Sequence, residues 1–425
     1  MPRVFKFGGA LLQNAEGIRR MAALVNEFQC EPMVVVVSAI GKTTNALEEL
    51  YRLSRAKNKE QLQQKYFQLK HQHLMLAEEL GLQDFETFIH TMEEDFRKLW
   101  DALSVSYRDW YKGYDQIVSF GETFSGRIIE GFLASQGIPV HLVDSQCLII
   151  TNSRYTNASV NWEMTQKSIN ARVVPALEKR EVVLTQGFVA ADQLGVTTTL
   201  GREGSDFTAA ILAYVLEAEE VCIWKDVPGL MNADPRLFHD AVKLPHVSYN
   251  EAIELAFYGA SVIHPKTIQP LKKKGILLKV CSFFNPQSEP TLIDADESDD
   301  ARIPKLIVKK NQALLSISTR DLSFMAEESL KKVFTALSKN RFHINLMQNS
   351  AVSFSVIFDE NIEKLEKISK ELSDSFILKY NTGLELLTIR HYNDELIDNL
   401  SAGKHIFLTQ KTRTTIQLLL QPEVG

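Results

Sequence analysis

The residues able to do chemistry fall in short, glycine-bearing turns. Lys6-Phe7-Gly8-Gly9 closes a strand-like run, Val4–Phe7. Two glycines at a strand end let backbone N–H groups close on phosphate oxygens, and Lys6 adds a point charge for a transferred phosphoryl group. A plain Gly-Gly turn beside a lysine has the same pattern. Ser38-Ala39-Ile40-Gly41-Lys42-Thr43-Thr44-Asn45 is rich in hydroxyls but is not a Walker loop, because Val36 stands where that motif needs glycine. As a strand-to-helix turn it suits either an anion or a cluster of helix caps. Gly121-Glu122 follows an expected strand at Gln116–Ser119. A carboxylate at the mouth of a parallel strand is placed to receive a substrate ammonium, or else simply favours a helix dipole.

The densest run is Thr197-Thr198-Thr199-Leu200-Gly201-Arg202-Glu203-Gly204-Ser205-Asp206, ahead of a helix expected over Phe207–Leu216. It pairs an anion clamp, Arg202 with Ser205, with an acid at Asp206 suited to ordering Mg²⁺ or a phosphate-bound lysine. After the strand Glu220–Trp224 come Lys225-Asp226-Val227-Pro228-Gly229 and Asn232-Ala233-Asp234-Pro235-Arg236. Asp226 suits a nucleotide's sugar and base and Arg236 its phosphates, although two proline turns are also ordinary loop punctuation. His71 and His73 read as a surface pair rather than a metal site, and His264 before Pro265 as structural.

These turns need a rigid frame. Strands are expected at Val4–Phe7, Met33–Ser38, Gln116–Ser119, Val140–Val143, Val182–Gln186, Glu220–Trp224 and Leu277–Cys281. Most are continuous β-branched runs, the mark of strands buried on both faces of a largely parallel sheet. Crossover helices between them imply an α/β protein, a three-layer α/β/α sandwich. Residues 44–110 are rich in Leu, Gln, Lys and Glu without proline and read as a helical insertion; Phe85, Phe88, Ile89, Met92, Phe96 and Leu99 keep helical spacing after a stop at Gly81. Residues 1–285 would form this first domain. Residues 286–304, proline-bearing and acidic, read as a solvated linker. The tail, 305–425, starts a new pattern: βαββαβ over about 312–380, a ferredoxin-like module, then an abbreviated copy over about 381–425.

Composition narrows the functional class. The chain has 425 residues, 45% hydrophobic and 24% charged, with a net charge of −6. That balance opposes non-specific nucleic-acid binding. No apolar run approaches the ~20 residues that span a bilayer, and the N-terminus has no signal-peptide core. Cys30, Cys147, Cys222 and Cys281 form no CxxC pair, which fits neither zinc nor disulfides and points to a reducing cytoplasm.

Taken in order, KFGG, the SAxxxxTN turn, the GE turn, TTTLGRxGSD, DVPG…ADPR and GAxVxHP resemble aspartate kinases of the amino-acid kinase superfamily, over essentially the whole chain. The resemblance implies an amino-acid kinase fold with a helical insertion, followed by paired ACT modules that bind an end-product amino acid and mediate assembly into a homodimer or larger homo-oligomer. It implies transfer of the γ-phosphoryl of MgATP to the side-chain carboxylate of aspartate, the opening step of lysine, threonine and methionine synthesis. Lys6 would neutralise the phosphoryl group and Asp206 would orient Lys6. Arg202 would clamp the substrate α-carboxylate and Glu122 would pair with its ammonium, with Ser38, Thr44 and Ser205 lining the same pocket. Gly8, Gly9, Lys225, Asp226 and Arg236 would hold ATP. Mg²⁺ would arrive on the nucleotide without direct protein ligands. Met347, Gln348, Asn349 and Ser350 would face an effector.

Four departures from the family pattern stand out. Ala10 and Leu11 replace two hydroxyl residues after KFGG, Glu203 replaces a glycine, Ser261 replaces a nucleotide-facing lysine, and Asn345 and Ala351 replace acids typical of lysine-sensitive members. ATP would then bind more weakly, or a neighbour such as Lys266 would substitute. An alternative reading is therefore a weakly active or inactive homologue that acts as an amino-acid-sensing regulatory protein. Glutamate 5-kinase fits the insertion and tail poorly, and no GxGxxG announces a fused dehydrogenase.

Overall fold

Continuous β-branched runs build the central sheet. The structure, a computed structural model, describes residues 1–82, 86–260, 263–321 and 323–422. The described residues form two compact units, one from 1–230, 243–253 and 261–297, the other from 231–242, 254–260 and 298–425.

The first unit holds β1 (Arg3–Phe7), β2 (Met33–Val37), β3 (Val140–Leu142), β4 (Ile150–Thr151), β5 (Val182–Gln186), β6 (Val189–Asp192), β7 (Thr197–Thr199), β8 (Glu220–Lys225), β9 (His246–Ser248), β10 (Leu277–Ser282) and β11 (Thr291–Asp294). Its main sheet runs β3-β5-β2-β1-β8-β10-β11-β9. Every pair in it is parallel except β10 with β11. A smaller sheet, β4-β6-β7, carries the threonine run. Met33–Val37 is buried at all five positions, each side chain contributing about 2 kcal/mol.

Side chains alternate across the pleat, so both faces of the sheet need cover. Phe5, Phe7, Val35 and Val37 join Ile18 and Met21 of the helix Ala15–Phe28 and Ile128 and Ile129 of the helix Phe120–Ser135 in one core. Val4, Val34 and Val36, fully buried, point the other way, where the helix Gly204–Leu216 packs on β1 and β8. This is the expected three-layer arrangement.

The second unit is one antiparallel sheet, with β12 (Lys305–Thr319), β13 (Ile344–Asn349), β14 (Ser353–Asp359), β15 (Phe376–Arg390), β16 (Ile406–Lys411) and β17 (Thr415–Leu420) in the order β13-β14-β12-β15-β17-β16. Helices Glu327–Lys339 and Ile362–Leu372 complete the βαββαβ module. The abbreviated copy has a single helix, Asp394–Ser401. Its fourth strand place is filled from ahead of the first module: Lys305–Lys309 of β12 pairs with Leu386–Arg390 of β15. A register shift at Lys309/Gln312 separates the two halves of β12.

Several expectations change. Gln116–Ser119 is not a strand: it ends the helix Trp110–Val118, which Asp109 caps by accepting from the N–H of Tyr111 at 2.8 Å. The adjacent Ile117 and Val118 mimic a short buried strand but are the core-facing end of a helix. Helices accordingly run from Thr43 to Ser135, beyond the insertion expected at 44–110. The 286–304 linker contains β11, an inner strand of the main sheet that buries Thr291 and Ile293 despite the acids after it. The boundary expected near residue 380 between the ferredoxin-like module and its copy falls inside one long strand, β15. Residues 231–242 and 254–260 group with the second unit rather than the first; Asn232 accepts the Leu306 N–H on its carbonyl at 2.7 Å. His73 is buried, its ring packed between Phe96 and Phe124, whereas His71 is exposed. Gly81 does terminate a helix, at φ +76. Phe85 and Ser261 lie outside the described residues. Among the described residues no helix is long and apolar enough to cross a membrane.

Candidate active site

The carboxyl ends of β1, β2 and β8 lie side by side, and their terminal residues and following turns open onto one cavity of about 700 Å³. The crevice beyond the strand ends of a parallel sheet is where such folds bind ligands. Of the residues expected there, Lys6, Gly9, Ser38, Thr44, Glu122, Arg202, Ser205, Asp206 and Lys225 line it together.

Its centre is a charged triplet. Lys6 Nζ lies 2.6 Å from Asp206 Oδ1, and Lys225 Nζ lies 3.2 Å from Asp206 Oδ2. The β1 and β8 backbones place the two lysines, and the first turn of the helix Gly204–Leu216 places the acid. Burial drives the Lys6 ammonium below the usual lysine range although Asp206 pulls it up. Burial likewise opposes ionisation of Asp206, but the two ammonium groups outweigh it and hold the carboxyl below its ordinary range. The acid thus presents two cations to the cavity while neutralising part of their mutual repulsion.

Across the cavity, Glu122 sits in the first turn of a helix, not at a strand mouth. Its Oε1 accepts from the Ala39 N–H at 3.4 Å, and its buried Oε2 has no hydrogen-bond partner. Burial pushes this carboxyl up to about 8. One turn along the helix, Ser125 Oγ accepts from the Ile40 N–H at 2.8 Å, so one helix face pins the Ser38–Gly41 turn. Gly9 packs on that turn so closely that a Cβ would stand 2.0 Å from the Ala39 carbonyl oxygen.

The departures take on physical meaning. Leu11 is buried in the core, so of the two lost hydroxyls only the one at Ala10 concerns the cavity. Glu203 has φ 54, left-handed backbone that glycine adopts freely and other residues adopt at a cost of about 1 kcal/mol. Lys266 does not supply a phosphate cation here: it is absent from the cavity lining, its ammonium bonded to Asn157. The cavity's second ammonium is that of Lys225, on Asp206. Asp226 is exposed and does not line the cavity; Gly8 is not among the lining residues either, although a Cβ on it would stand 3.6 Å from Lys6 Nζ. Arg236 belongs to the second unit, exposed, with its guanidinium held by Asp234 at 2.7 Å.

Other lining residues were not foreseen. Trp110, Tyr111 and Tyr114 form an aromatic wall, with Glu48 accepting from the Tyr114 hydroxyl. Their i, i+1, i+4 spacing is a helix-face signal that falls between the expected insertion, ending at 110, and the strand expected from Gln116. Asp115 is fully buried and accepts from the Thr199 hydroxyl at 2.8 Å and from the Thr199 and Thr156 N–H groups at 2.9 Å. It fastens the threonine run that leads to Arg202, and burial lifts its carboxyl to about 6. Among the described residues no cluster of three or more His, Cys, Asp or Glu side chains is arranged to hold a metal. With both Asp206 oxygens facing lysines, the donor set suits a metal that travels on nucleotide phosphates.

The model of the amino acid kinase family matches residues 1–282. Aspartokinase 2, chloroplastic, of Arabidopsis thaliana is 30% identical over 394 residues, covering 88% of this chain and 71% of that protein. The lysine-sensitive aspartokinase 3 of Escherichia coli is 27% identical over 413 residues, covering 95% and 90%. Two solved structures of E. coli aspartokinase III match 99% of this chain and 96% of theirs at 25% identity: the complex with lysine and aspartate with a TM-score of 0.83, and the complex with aspartate and ADP with 0.81.

Proposed function

The chain belongs to the amino acid kinase family and is an aspartokinase, and we propose that its Lys6–Asp206–Lys225 centre carries the phosphoryl transfer. The enzyme uses ATP to phosphorylate the side-chain carboxylate of aspartate in amino-acid biosynthesis. The attacking carboxylate, with an ordinary pKa near ~4, is ionised at neutral pH, so no general base is needed. Its oxygen bonds to Pγ as the bond from Pγ to the bridging oxygen breaks, and ADP leaves. The barrier is the approach of one anion to another, which positive charge and positioning lower. Lys6 meets the transferring group, Lys225 the neighbouring phosphate oxygens, and Asp206 fixes both. Arg202 and Ser205 hold the aspartate α-carboxylate, and Ser38 and Thr44 line its site. Mg²⁺ enters as MgATP and offsets phosphate charge. A cytoplasmic homodimer or larger homo-oligomer completes the reading.

The observation that carries it is the lysine pair, one buried and one half-buried, on one buried carboxylate, facing a buried glutamate whose outer oxygen is unpartnered. A coupled ADP-release assay with MgATP should show turnover with aspartate and at least a hundredfold lower kcat/KM with glutamate. No turnover with aspartate would refute the reading. The charged set argues against an inactive sensor, since Lys6, Glu122, Arg202 and Asp206 all reach the cavity.

Glu122 gives the substrate site a pH dependence. Its folded pKa, about 8, is raised, so the acid is protonated at neutral pH in the empty site. An incoming ammonium requires the carboxylate, so binding releases the proton. Apparent KM for aspartate should therefore rise as pH falls below about 8, approaching tenfold per unit. Calorimetry in buffers of different ionisation enthalpy should show proton release, and Glu122→Gln should remove both the release and the slope.

In the second unit, Met347, Gln348 and Asn349 end β13 exposed, and Ser350 bonds back to Ser353 at 2.7 Å between hydroxyls. Asn345 is consumed internally, donating to Gln312 at 2.8 Å and Asp359 at 2.9 Å and accepting from Lys309 at 2.8 Å. A neutral, fully engaged side chain there gives little to a second ammonium. Millimolar lysine should inhibit less than threonine, or not at all; strong lysine inhibition in the same assay would contradict this.

A further inference from the structure

The first unit has a second cleft of about 490 Å³ that the kinase reaction does not use. Three cations line it, Arg154, Lys266 and Lys273, with no carboxylate among the lining residues. The nearby acid Glu217 is taken by Lys274 at 2.7 Å. Phe207, Tyr214 and Trp162 make the apolar wall, the last two with ring centroids 5.0 Å apart at 66°. Burial and then the charge of Arg154 hold the Lys266 ammonium below the usual lysine range, as expected of cations sharing a hollow without a counter-ion. The volume suits a small organic molecule, the charges a multiply ionised group, and the rings a flat partner.

The cleft shares two walls with the active-site cavity. On the loop after β4, Thr156 lines the cavity while Arg154 and Asn157 line the cleft; on the helix Gly204–Leu216, Asp206 faces one and Phe207 the other. Lys266 bonds to Asn157, whose Oδ1 lies 3.1 Å from the Cβ position of Gly201, next to Arg202. A ligand drawing on Lys266 therefore pulls at the turn that holds the substrate clamp.

We propose that this cleft binds a phosphate monoester carrying a planar ring and that its occupancy alters aspartate binding. The coupling rests on the kinase reading; the binding does not. The test titrates the full chain with phenyl phosphate, with ADP and aspartate filling the active-site cavity, and follows tryptophan emission. A saturable change is expected, lost in Trp162→Phe and shifted at least tenfold to higher concentration by Lys273→Glu, a substitution at an exposed position. Inorganic phosphate should need at least tenfold more, and saturating phenyl phosphate should move the KM for aspartate at least twofold. No saturable signal, or one indifferent to Lys273→Glu, overturns the site. Equal potency of inorganic phosphate overturns the ring, and binding with an unmoved KM overturns the coupling. Failure of turnover with the emission signal intact would count against the kinase reading alone.

Discussion

Replacing Lys6 by alanine should lower kcat for aspartate phosphorylation about 10³-fold, the scale at which a preorganised charge facing the transition state acts. KM for aspartate should change less than threefold, because Arg202 and Glu122, not Lys6, hold the substrate. The variant should still fold: Asp206 keeps Lys225 at 3.2 Å, so its buried charge is not stranded. Single-turnover measurements under saturating MgATP separate the chemical step from ADP release. A Lys6→Ala enzyme within tenfold of wild type would mean that Lys225 alone carries the phosphoryl charge.

Asp206→Asn should be more damaging to the fold and differently damaging to the reaction. It leaves two lysines, one of them fully buried, without their shared counter-charge, and breaking a buried pair in this way costs about 3 kcal/mol or more. Thermal unfolding of the variant should shift down by several degrees. With burial no longer opposed, the Lys6 ammonium falls further below its usual range and loses its proton at lower pH. The residual rate, lowered about 10²-fold, should therefore fade as pH rises, at lower pH than in the wild type. The linkage has the opposite sense for Asp206 itself: its folded pKa is depressed, so the stability it confers is present above its ordinary value of 3.8 and lost on acidification. A variant with wild-type melting and an unshifted pH profile would show that Asp206 does not organise the lysines.

Lys6, Glu122, Arg202 and Asp206 were legible because each follows or opens a strongly patterned element, where glycine, charge and a strand end coincide. What escaped depends on distance in the fold. Asp115 acts on Thr199, 84 positions away in the chain, and no local spacing records that bond. Glu122 lines the cavity from a helix rather than from the expected strand mouth: a two-residue β-branched run cannot distinguish a strand from the buried end of a helix. Thr291–Asp294 was lost to the acids around it, though its alternating burial, Thr291 and Ile293 in, is a strand signal of the ordinary kind. Lys225 reads from the sequence as a nucleotide contact, but its pairing with Asp206 is set by the β1–β8 register, which no local spacing records.

The nested strands of the second unit set an order of assembly. The inner module has all four of its strands once residue 380 is available, so it can close by itself while the chain is still emerging. The outer one brackets it: its fourth-place strand, Lys305–Lys309, is made first and waits more than seventy residues for Leu386–Arg390. During synthesis that segment is an open sheet edge, and its two end residues, Lys305 and Lys309, show what protects it. Two lysines flank the apolar triplet Leu306-Ile307-Val308, a placement that discourages edge-to-edge association until the proper neighbour arrives.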